Sequence, residues 1–367
     1  MVERRVFRDQ LKEGMLIAAD VYTYGGLVVV PENTVVTKDV IDLLTRHSIV
    51  EVIIGEEIEM PDFSDDELGL LDDVLGMVGM MEADTERLEQ FTEEFHVAEE
   101  TLSESLRNIA NQDGEIDVQQ LLDMVDSVAA KASNDVNLCG MLMKMKENAK
   151  NLYTHSINVS LYAQLLAKWL EFSQEDIDLV GIAGLLHDIG LLKCQQDGEE
   201  NILFHDEYEN KSGINHMVHG YNMIKDKKLD LKVKQAVLTH HERMDLTGFP
   251  YQMSYKNLNN ISRVLAIADA YDTLTMEEEG CPAMSPFEVF GLLYDTSYIK
   301  FDSQMLVLFI ERMAQNFIQY EVVLSDGRIG KIVMTNKYNV ARPLVMVGTE
   351  FLDLSQRKDI SIKKIIY

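Results

Sequence analysis

The crowding of histidines along one part of the chain is its most constraining feature. Seven of the nine histidines lie between His155 and His241, a span of 87 residues in which an even spread would place about two. A buried imidazole needs a hydrogen-bonding or metal partner, because a polar ring otherwise loses its hydration without compensation. The cluster therefore favours a fold that brings several histidines to one point.

Helical sequence surrounds these histidines, and aspartates accompany them. Residues 118–318 contain only three prolines, and their apolar residues follow helical spacing. The string HDIG at 187–190 ends one apolar helix, and HHE at 240–242 ends another. Asp269 and Asp272 lie about one turn apart on the same face of a third helix. First-row divalent metals such as iron or manganese accept this mixture of imidazole and carboxylate.

The order and spacing of these pieces resemble the HD-GYP subgroup of the HD phosphohydrolase superfamily. The pieces are His155, HDIG at 187–190, His216, HHERMDLTGFP at 240–250, and Asp269. The His-Asp doublet alone would be weak evidence, whereas the longer string is specific, and the resemblance spans roughly residues 145–315. It implies an all-helical, metal-dependent phosphodiesterase that opens cyclic di-GMP to linear pGpG, with further cleavage to GMP left open.

The same resemblance implies the composition of the active centre. Two divalent ions, expected to be iron or manganese, would be held by seven side chains: His155, His187, Asp188, His216, His240, His241 and Asp269. Asp188 would bridge the two ions, about 3.5–4 Å apart in sites of this kind. His187 and Asp188 are the expected catalytic pair, and a hydroxide shared by the ions would attack phosphorus in line.

The sequence departs from the family pattern at positions that concern the number of metals and the substrate. Asn151 stands where several family members have a glutamate that binds a third metal, so we expect two ions and an isolated Asp272. The candidate substrate contacts are Lys193, Arg243 and Asp272. The bases that usually follow Asp272 are replaced by Glu277, Glu278 and Glu279. Each lost charge-assisted phosphate contact would cost about 1.5–3 kcal/mol.

The Gly-Tyr-Pro signature of the family is altered here. It appears as Gly248-Phe249-Pro250, preceded by Asp245, and Leu246 replaces the usual glycine. A leucine is unfavourable if this backbone position needs a positive φ. The resemblance implies that the segment contacts substrate or protein partners, among them diguanylate cyclase (GGDEF) proteins.

These departures leave three functions open. The first is an active cyclic di-GMP phosphodiesterase, favoured because all seven metal ligands are present. The second is a weakly active or inactive protein that binds metal and serves as a cyclic-dinucleotide sensor or scaffold. The third is a phosphohydrolase of another nucleotide, since the altered substrate side could change specificity.

The acidity of the chain is concentrated in one segment. The formal net charge is −29, and residues 56–117 hold 21 acidic residues against two basic ones. This balance argues against nucleic-acid polymers or anionic membranes as partners. The apolar residues between Leu88 and Ile109 follow helical spacing, which predicts a helix packed on its neighbour or, alternatively, a homodimer contact.

Changes in pattern along the chain predict a mainly α protein in four parts. These are a small α/β domain at 1–55, an acidic helical connector at 56–117, an HD-GYP helical catalytic domain at 118–318 and a β-rich tail at 319–367. No apolar run is long enough to span a membrane. Three scattered cysteines exclude a disulfide framework, so we expect a cytoplasmic protein.

Overall fold

A computed structural model places the chain in two compact units, Met1–Met81 and Glu82–Tyr367. The residues that the structure describes are 2–7, 11–12, 14–18, 21–22, 28–31, 34–46, 49, 51–56, 67–111, 114–148, 151–197, 214–277, 283–296 and 299–366.

The first unit is a small α/β assembly, as predicted. It contains β1 (Val2–Phe7), β2 (Leu16–Ile17), β3 (Val21–Tyr22), β4 (Val28–Val30), α1 (Lys38–Arg46) and β5 (Glu51–Glu56). An antiparallel sheet has the order β1-β5-β2, and β3 pairs separately with β4. Ile17, Val36 and Leu44 are fully buried and form its core.

Within the acidic segment, residues 67–110 form one long helix, α2 (Glu67–Ala110). Its predicted apolar stripe is buried at Phe91, Phe95, Leu102 and Leu106 and joins the core of the second unit. Of the two alternatives predicted for this stripe, packing on a neighbouring helix or a homodimer contact, the structure shows the first. A dimer through α2 would need another face of this helix.

Ten helices in the described part of the second unit follow α2. They are α3 (Val118–Lys131), α4 (Asp135–Asn148), α5 (Leu152–Trp169), α6 (Gln174–Leu186), α7 (Leu191–Gln196), α8 (Ile214–Ile224), α9 (Leu231–Thr239), α10 (Asn260–Thr275), α11 (Pro286–Thr296) and α12 (Ser303–Asn316). Helix α5 is buried on every side over most of its length, which is the pattern of a central helix. Helices α6 and α10 make extensive contacts with it.

Two glycines allow helices around the centre to approach closely. A Cβ added at Gly184 would lie 2.5 Å from the Cα atom of Ser160, so α6 packs directly on the backbone of α5. A Cβ at Gly190 would lie 1.8 Å from the carbonyl oxygen of His216. The turn after α6 therefore reaches the backbone of α8 only because residue 190 has no side chain.

The C-terminal tail is the predicted β-rich segment. It contains β6 (Glu321–Leu324), β7 (Ile329–Met334), β8 (Leu344–Val347), β9 (Glu350–Asp353) and β10 (Ile362–Ile366). These strands form one antiparallel sheet in the order β10-β6-β7-β8-β9. Gly327 has φ +86° in the β6–β7 turn, where the sequence predicts a hairpin. The mainly α fold with a small α/β start and a β-rich end is confirmed.

Among the described helices, none combines the length and the apolar character that crossing a bilayer requires.

Candidate metal centre

The structure brings together all seven predicted metal ligands. They come from the first turn of α5, the end of α6 and the turn after it, α8, the end of α9 with the residue that follows it, and α10. Their donor atoms form two groups, and within each group all donor atoms lie within 4.8 Å of one another. We call the group of His155, His187 and Asp269 group A. Group B consists of Asp188, His216, His240 and His241.

Asp188 lies between the two groups. Its Oδ2 atom is 3.4 Å from Nε2 of His187 and 3.7 Å from Nε2 of His155. Its Oδ1 atom is 3.4 Å from Nε2 of His216 and 3.6 Å from Nε2 of His240. One oxygen therefore faces group A and the other faces group B, which is the disposition of a carboxylate that can bridge two ions.

Backbone contacts at the helix ends orient two of the imidazoles. His187 donates from Nδ1 to the carbonyl oxygen of Gly184 at 2.8 Å, and His240 donates from Nδ1 to that of Val237 at 3.0 Å. In the neutral imidazole the lone pair is then on Nε2, the atom that faces Asp188 in both residues.

The short distances between facing Nε2 atoms show whether the centre suits a metal ion. Nε2 of His155 lies 3.2 Å from Nε2 of His187, and Nε2 of His216 lies 3.3 Å from Nε2 of His240. Neutral imidazoles in these tautomers would direct lone pairs at one another and at carboxylates. A cation between them removes that repulsion, so the donor set fits divalent metal ions.

His155 is oriented by a charged side chain. Since a carboxylate only accepts, Nδ1 of His155 donates to Oδ2 of Asp272 at 2.8 Å. The other carboxylate oxygen, Oδ1, lies 2.6 Å from the ammonium of Lys146. Both oxygens of Asp272 are therefore paired, one with His155 of α5 and the other with a buried lysine of α4.

The pKa shifts differ between the two groups. Burial lowers the pKa of His155, but hydrogen bonds to Asp269 and Asp272 outweigh it and raise this pKa to about 10. Burial lowers the pKa of His216 to about 4, against the attraction of Asp188. Burial and the neighbouring His240 hold the pKa of His241 well below its ordinary value. In group B these two imidazoles are thus neutral near pH 7, whereas a metal entering group A displaces a proton from His155.

The pKa of the Asp188 carboxyl is shifted in the direction that favours metal binding. Burial would raise the pKa of Asp188, but the surrounding imidazoles, led by His187, hold it well below its ordinary value. The pKa of Asp269 is also lowered, with burial again outweighed by contacts to His155 and other histidines. Both carboxyl groups are therefore anionic at neutral pH.

The segment 245–250 packs directly against group B. The Phe249 ring stacks on the His241 ring, with centroids 5.0 Å apart and planes 26° from parallel. A Cβ at Gly248 would lie 2.2 Å from the backbone nitrogen of Arg243, so glycine allows the close approach. The Phe249–Pro250 peptide is cis. Leu246 has φ +67°, which confirms that leucine occupies a position suited to glycine.

Local hydrogen bonds hold this segment in place. The buried Glu242 carboxylate accepts the backbone N–H groups of Tyr251 at 2.7 Å and Met253 at 2.8 Å. Asp245 accepts the backbone N–H and the hydroxyl of Thr247, at 3.0 and 2.6 Å. Asp245 thus stabilises the turn before Gly248 through its contacts with Thr247.

The three candidate substrate contacts have other partners in the structure. Lys193 is partly exposed on α7 and pairs with Asp197. Arg243 is buried, donates to the carbonyl oxygens of His240 and Glu242, and lies over the Phe301 ring. Asp272 is buried between His155 and Lys146. These contacts indicate that Arg243 and Asp272 support the centre, and that Lys193 stabilises its own helix.

Sequence reasoning missed Lys146 and the role of Glu242. A lysine within the apolar run MLMKMK at 141–146 was an available signal, because lysine is rarely buried without a partner. The predicted substitution of bases by acids falls largely on residues 278–281, which lie outside the described residues; Glu277 is described and exposed.

Comparison with known proteins agrees with this geometry. Residues 152–274 match the sequence profile of the HD domain family. This part of the chain is an HD domain. The matched range includes every residue of groups A and B.

Several relatives of this HD protein are named phosphodiesterases. It is 26% identical over 243 residues to "Cyclic di-GMP phosphodiesterase PA4108" of Pseudomonas aeruginosa, covering 63% of this chain and 56% of that protein. It is 28% identical over 193 residues to "3'3'-cGAMP-specific phosphodiesterase 1" of Vibrio cholerae, covering 50% and 43%. The chain thus spans about half the length of the relatives it matches. The HD-type domain expected from the sequence is confirmed over residues 152–274.

A solved structure shows the same fold. Bd1817, described as an HDG"Y"P protein from Bdellovibrio bacteriovorus, superposes with a TM-score of 0.51 at 16% identity. The match covers 84% of this chain and 98% of Bd1817.

Proposed function

We propose that this HD protein is a metal-dependent phosphodiesterase that cleaves cyclic di-GMP to linear pGpG. The observation that carries the proposal is the position of Asp188, whose two carboxylate oxygens face two separate groups of imidazole nitrogens. Two-metal phosphoester hydrolysis requires a bridging ligand of this kind. The names of two relatives as cyclic di-GMP phosphodiesterases support the choice of substrate.

Group A, with the shared Asp188, would hold one divalent ion, and group B would hold the second. Iron and manganese suit the set of five imidazoles and two carboxylates. Bound ions supply charge stabilisation for the phosphoryl oxygens and lower the pKa of a water nucleophile.

The protein orients the imidazoles of the centre and buries them. His187 and His240 are fixed by backbone carbonyls, so their Nε2 atoms stay directed at Asp188. The ligands are buried, and His241 is among the more accessible of them. Burial lowers the effective dielectric around the phosphate and strengthens its interaction with every charge in the centre.

A second candidate substrate is 3′3′-cGAMP, because relatives of similar identity are named for that activity. A sensor or scaffold without turnover is the alternative that the missing phosphate-binding bases favour. Cleavage of pGpG to GMP is a further step that the same centre could catalyse, since it breaks the same kind of bond.

A substrate panel tests these alternatives. The full chain, purified without oxygen and loaded with Mn²⁺ or Fe²⁺, is incubated with cyclic di-GMP, 3′3′-cGAMP and pGpG, and the products are separated by chromatography. We expect pGpG from cyclic di-GMP in the wild type and in a His96→Ala control, whose imidazole is exposed on α2. Binding of cyclic di-GMP without turnover by a fully loaded centre would contradict the proposal and support the sensor.

Two exposed surfaces are candidates for contacts with protein partners. Within the 245–250 segment Leu246 is 47% exposed, and the adjoining Tyr251 is 60% exposed, which supports this segment as a surface for diguanylate cyclase (GGDEF) proteins. A homodimer through the connector would use the exposed side of α2, where Val97 is 57% exposed. Co-purification with a GGDEF protein and measurement of mass in solution test the two contacts separately.

A further inference from the structure

A lysine is buried deep in the helical unit beside the metal centre. Lys146, in the last turn of α4, is only 5% exposed. Its ammonium lies 2.6 Å from Oδ1 of Asp272 and donates to the hydroxyl of Thr275 at 2.6 Å. The same ammonium lies 5.1 Å and 5.3 Å from the ring centroids of Tyr162 and Tyr271. Its surroundings thus resemble an enclosed cation site made of a carboxylate, a hydroxyl and two aromatic faces.

The two oxygens of the Asp272 carboxylate, which Lys146 contacts, have different partners. Oδ1 of Asp272 faces Lys146, and Oδ2 accepts from Nδ1 of His155 at 2.8 Å. On the far side of the ring, Nε2 of His155 lies 3.3 Å from Oδ1 of Asp269 and 3.2 Å from Nε2 of His187. A continuous chain of contacts therefore runs from the ammonium to the donor atoms of group A.

We propose that Lys146 is a positioning residue for group A and takes the place of a further ion. Its ammonium holds the Asp272 carboxylate in the orientation that directs Nε2 of His155 toward Asp269 and His187. It also occupies the one carboxylate oxygen of Asp272 that does not face His155, so this oxygen is not free to bind a metal. The inference rests on the proposed metal centre and adds that group A depends on a cation carried by the protein.

The geometry separates this role from general stabilisation. Asp272 reaches His155 through a single oxygen, so its rotation moves that contact directly. Thr275 follows Asp272 by three residues on α10 and holds the ammonium from a second direction. The side chains of Lys146 and Asp272 pair with each other, with Thr275 and with His155 of group A, so losing the lysine should affect the two groups unequally.

The test is the metal affinity of each group in Lys146→Met, which keeps a chain of similar length without the charge. Metal per chain is measured by elemental analysis after dialysis against graded chelator. We expect weaker binding at group A by up to about 10- to 100-fold, the usual effect of losing the outer partner of a metal-binding histidine, which for His155 is the Asp272 carboxylate that Lys146 holds. Group B should keep wild-type affinity, and Lys193→Met is the control because Lys193 is partly exposed on α7.

A second variant covers the case in which Lys146→Met does not fold. Lys146→Met combined with Asp272→Asn removes both buried charges together, and we expect it to fold with the same selective loss at group A. A readout independent of metal content is the histidine side-chain NMR spectrum of the metal-free protein, in which the Nδ1–H signal of His155 should shift or broaden in the variant.

The outcomes separate this inference from the proposed function. Two ions held with wild-type affinity in a folded Lys146 variant would overturn the positioning role. Equal weakening of both groups would also overturn it, since that is the result of a purely structural change. If the wild type holds two ions but cleaves no cyclic dinucleotide, the proposed function fails while the role of Lys146 is still decided by metal affinity.

Discussion

Groups A and B present similar sets of imidazole and carboxylate side chains, but the protein supports them differently. In group A the outer partner of His155 is a carboxylate held by a buried ammonium. In group B the partner of His240 is a backbone carbonyl, and His241 is covered by an aromatic ring. A carboxylate makes the imidazole more basic, whereas a carbonyl and a ring mainly fix its direction. Group A should therefore respond to charge and pH, and group B to packing.

Replacing the carboxylate that lies between the two groups should have the largest effect. Asp188→Asn leaves an amide whose nitrogen cannot accept, so one group loses a ligand whichever way the amide points. We expect activity to fall by more than about 100-fold, beyond the effect of losing an outer partner. Turnover and metal content are measured together, with Asp197→Asn as a control on the exposed end of α7. Unchanged metal content and turnover would refute the bridging assignment.

Changing pH should separate the two groups most clearly. The pKa of His155 is raised to about 10, so at pH 7 the metal must displace its proton, and affinity at group A rises with pH. Where one proton is displaced, the gain is about tenfold per pH unit below that pKa. The pKa of His216 is lowered to about 4, so it adds no such dependence to group B above pH 5. Isothermal titration with Mn²⁺ between about pH 6 and 8, within the range in which an ordinary histidine changes charge, measures both affinities. Parallel slopes of affinity against pH would contradict the distinction.

Removing the Phe249 ring tests whether group B depends on packing. Phe249→Ala deletes the half-buried ring that stacks on His241. We expect the free energy of unfolding to fall by less than the roughly 3 kcal/mol typical of a fully buried phenylalanine, with about 1 kcal/mol from the ring pair itself. Metal affinity at group B should fall while group A is unchanged. Phe249→Tyr is the matched control, because it keeps the ring. Chemical denaturation and metal titration supply the two readouts, and a loss confined to group A would reverse the interpretation.

The smallest effect is expected at the strained turn beside group B. Leu246 has φ +67°, a conformation that costs a non-glycine residue roughly 1–2 kcal/mol. Leu246→Gly relieves this cost, and Leu246→Ala removes the same side chain without relieving it. We expect the glycine variant to be more stable than the alanine variant by about 1 kcal/mol in chemical denaturation. Equal stabilities would show that the turn carries no such strain.

The extent to which these features could be predicted depends on whether they lie within a local pattern. His187 and Asp188, and likewise His240 and His241, occur in short strings at helix ends, so motif and spacing predicted that they would meet, and the structure brings them together. Leu246 was suspected for the same reason, since the family pattern has glycine there. Lys146 and Asp272 meet across 126 positions of sequence and belong to α4 and α10, so their pairing depends on how those helices pack. Arg243 is a case in which residue type suggested a phosphate contact, but burial gives the guanidinium backbone partners.

The close approaches at Gly184 and Gly190 bear on which mutations would inactivate the protein in a genetic screen. Neither residue carries a functional group, yet any side chain at Gly190 collides with the backbone of α8 and forces the His187-Asp188 turn away from His216. A random-mutagenesis library selected for loss of function should therefore be enriched at these two codons as strongly as at the histidine codons. Alleles at Gly184 and Gly190 would yield folded but metal-poor protein, which distinguishes an error in assembly of the centre from the loss of a ligand.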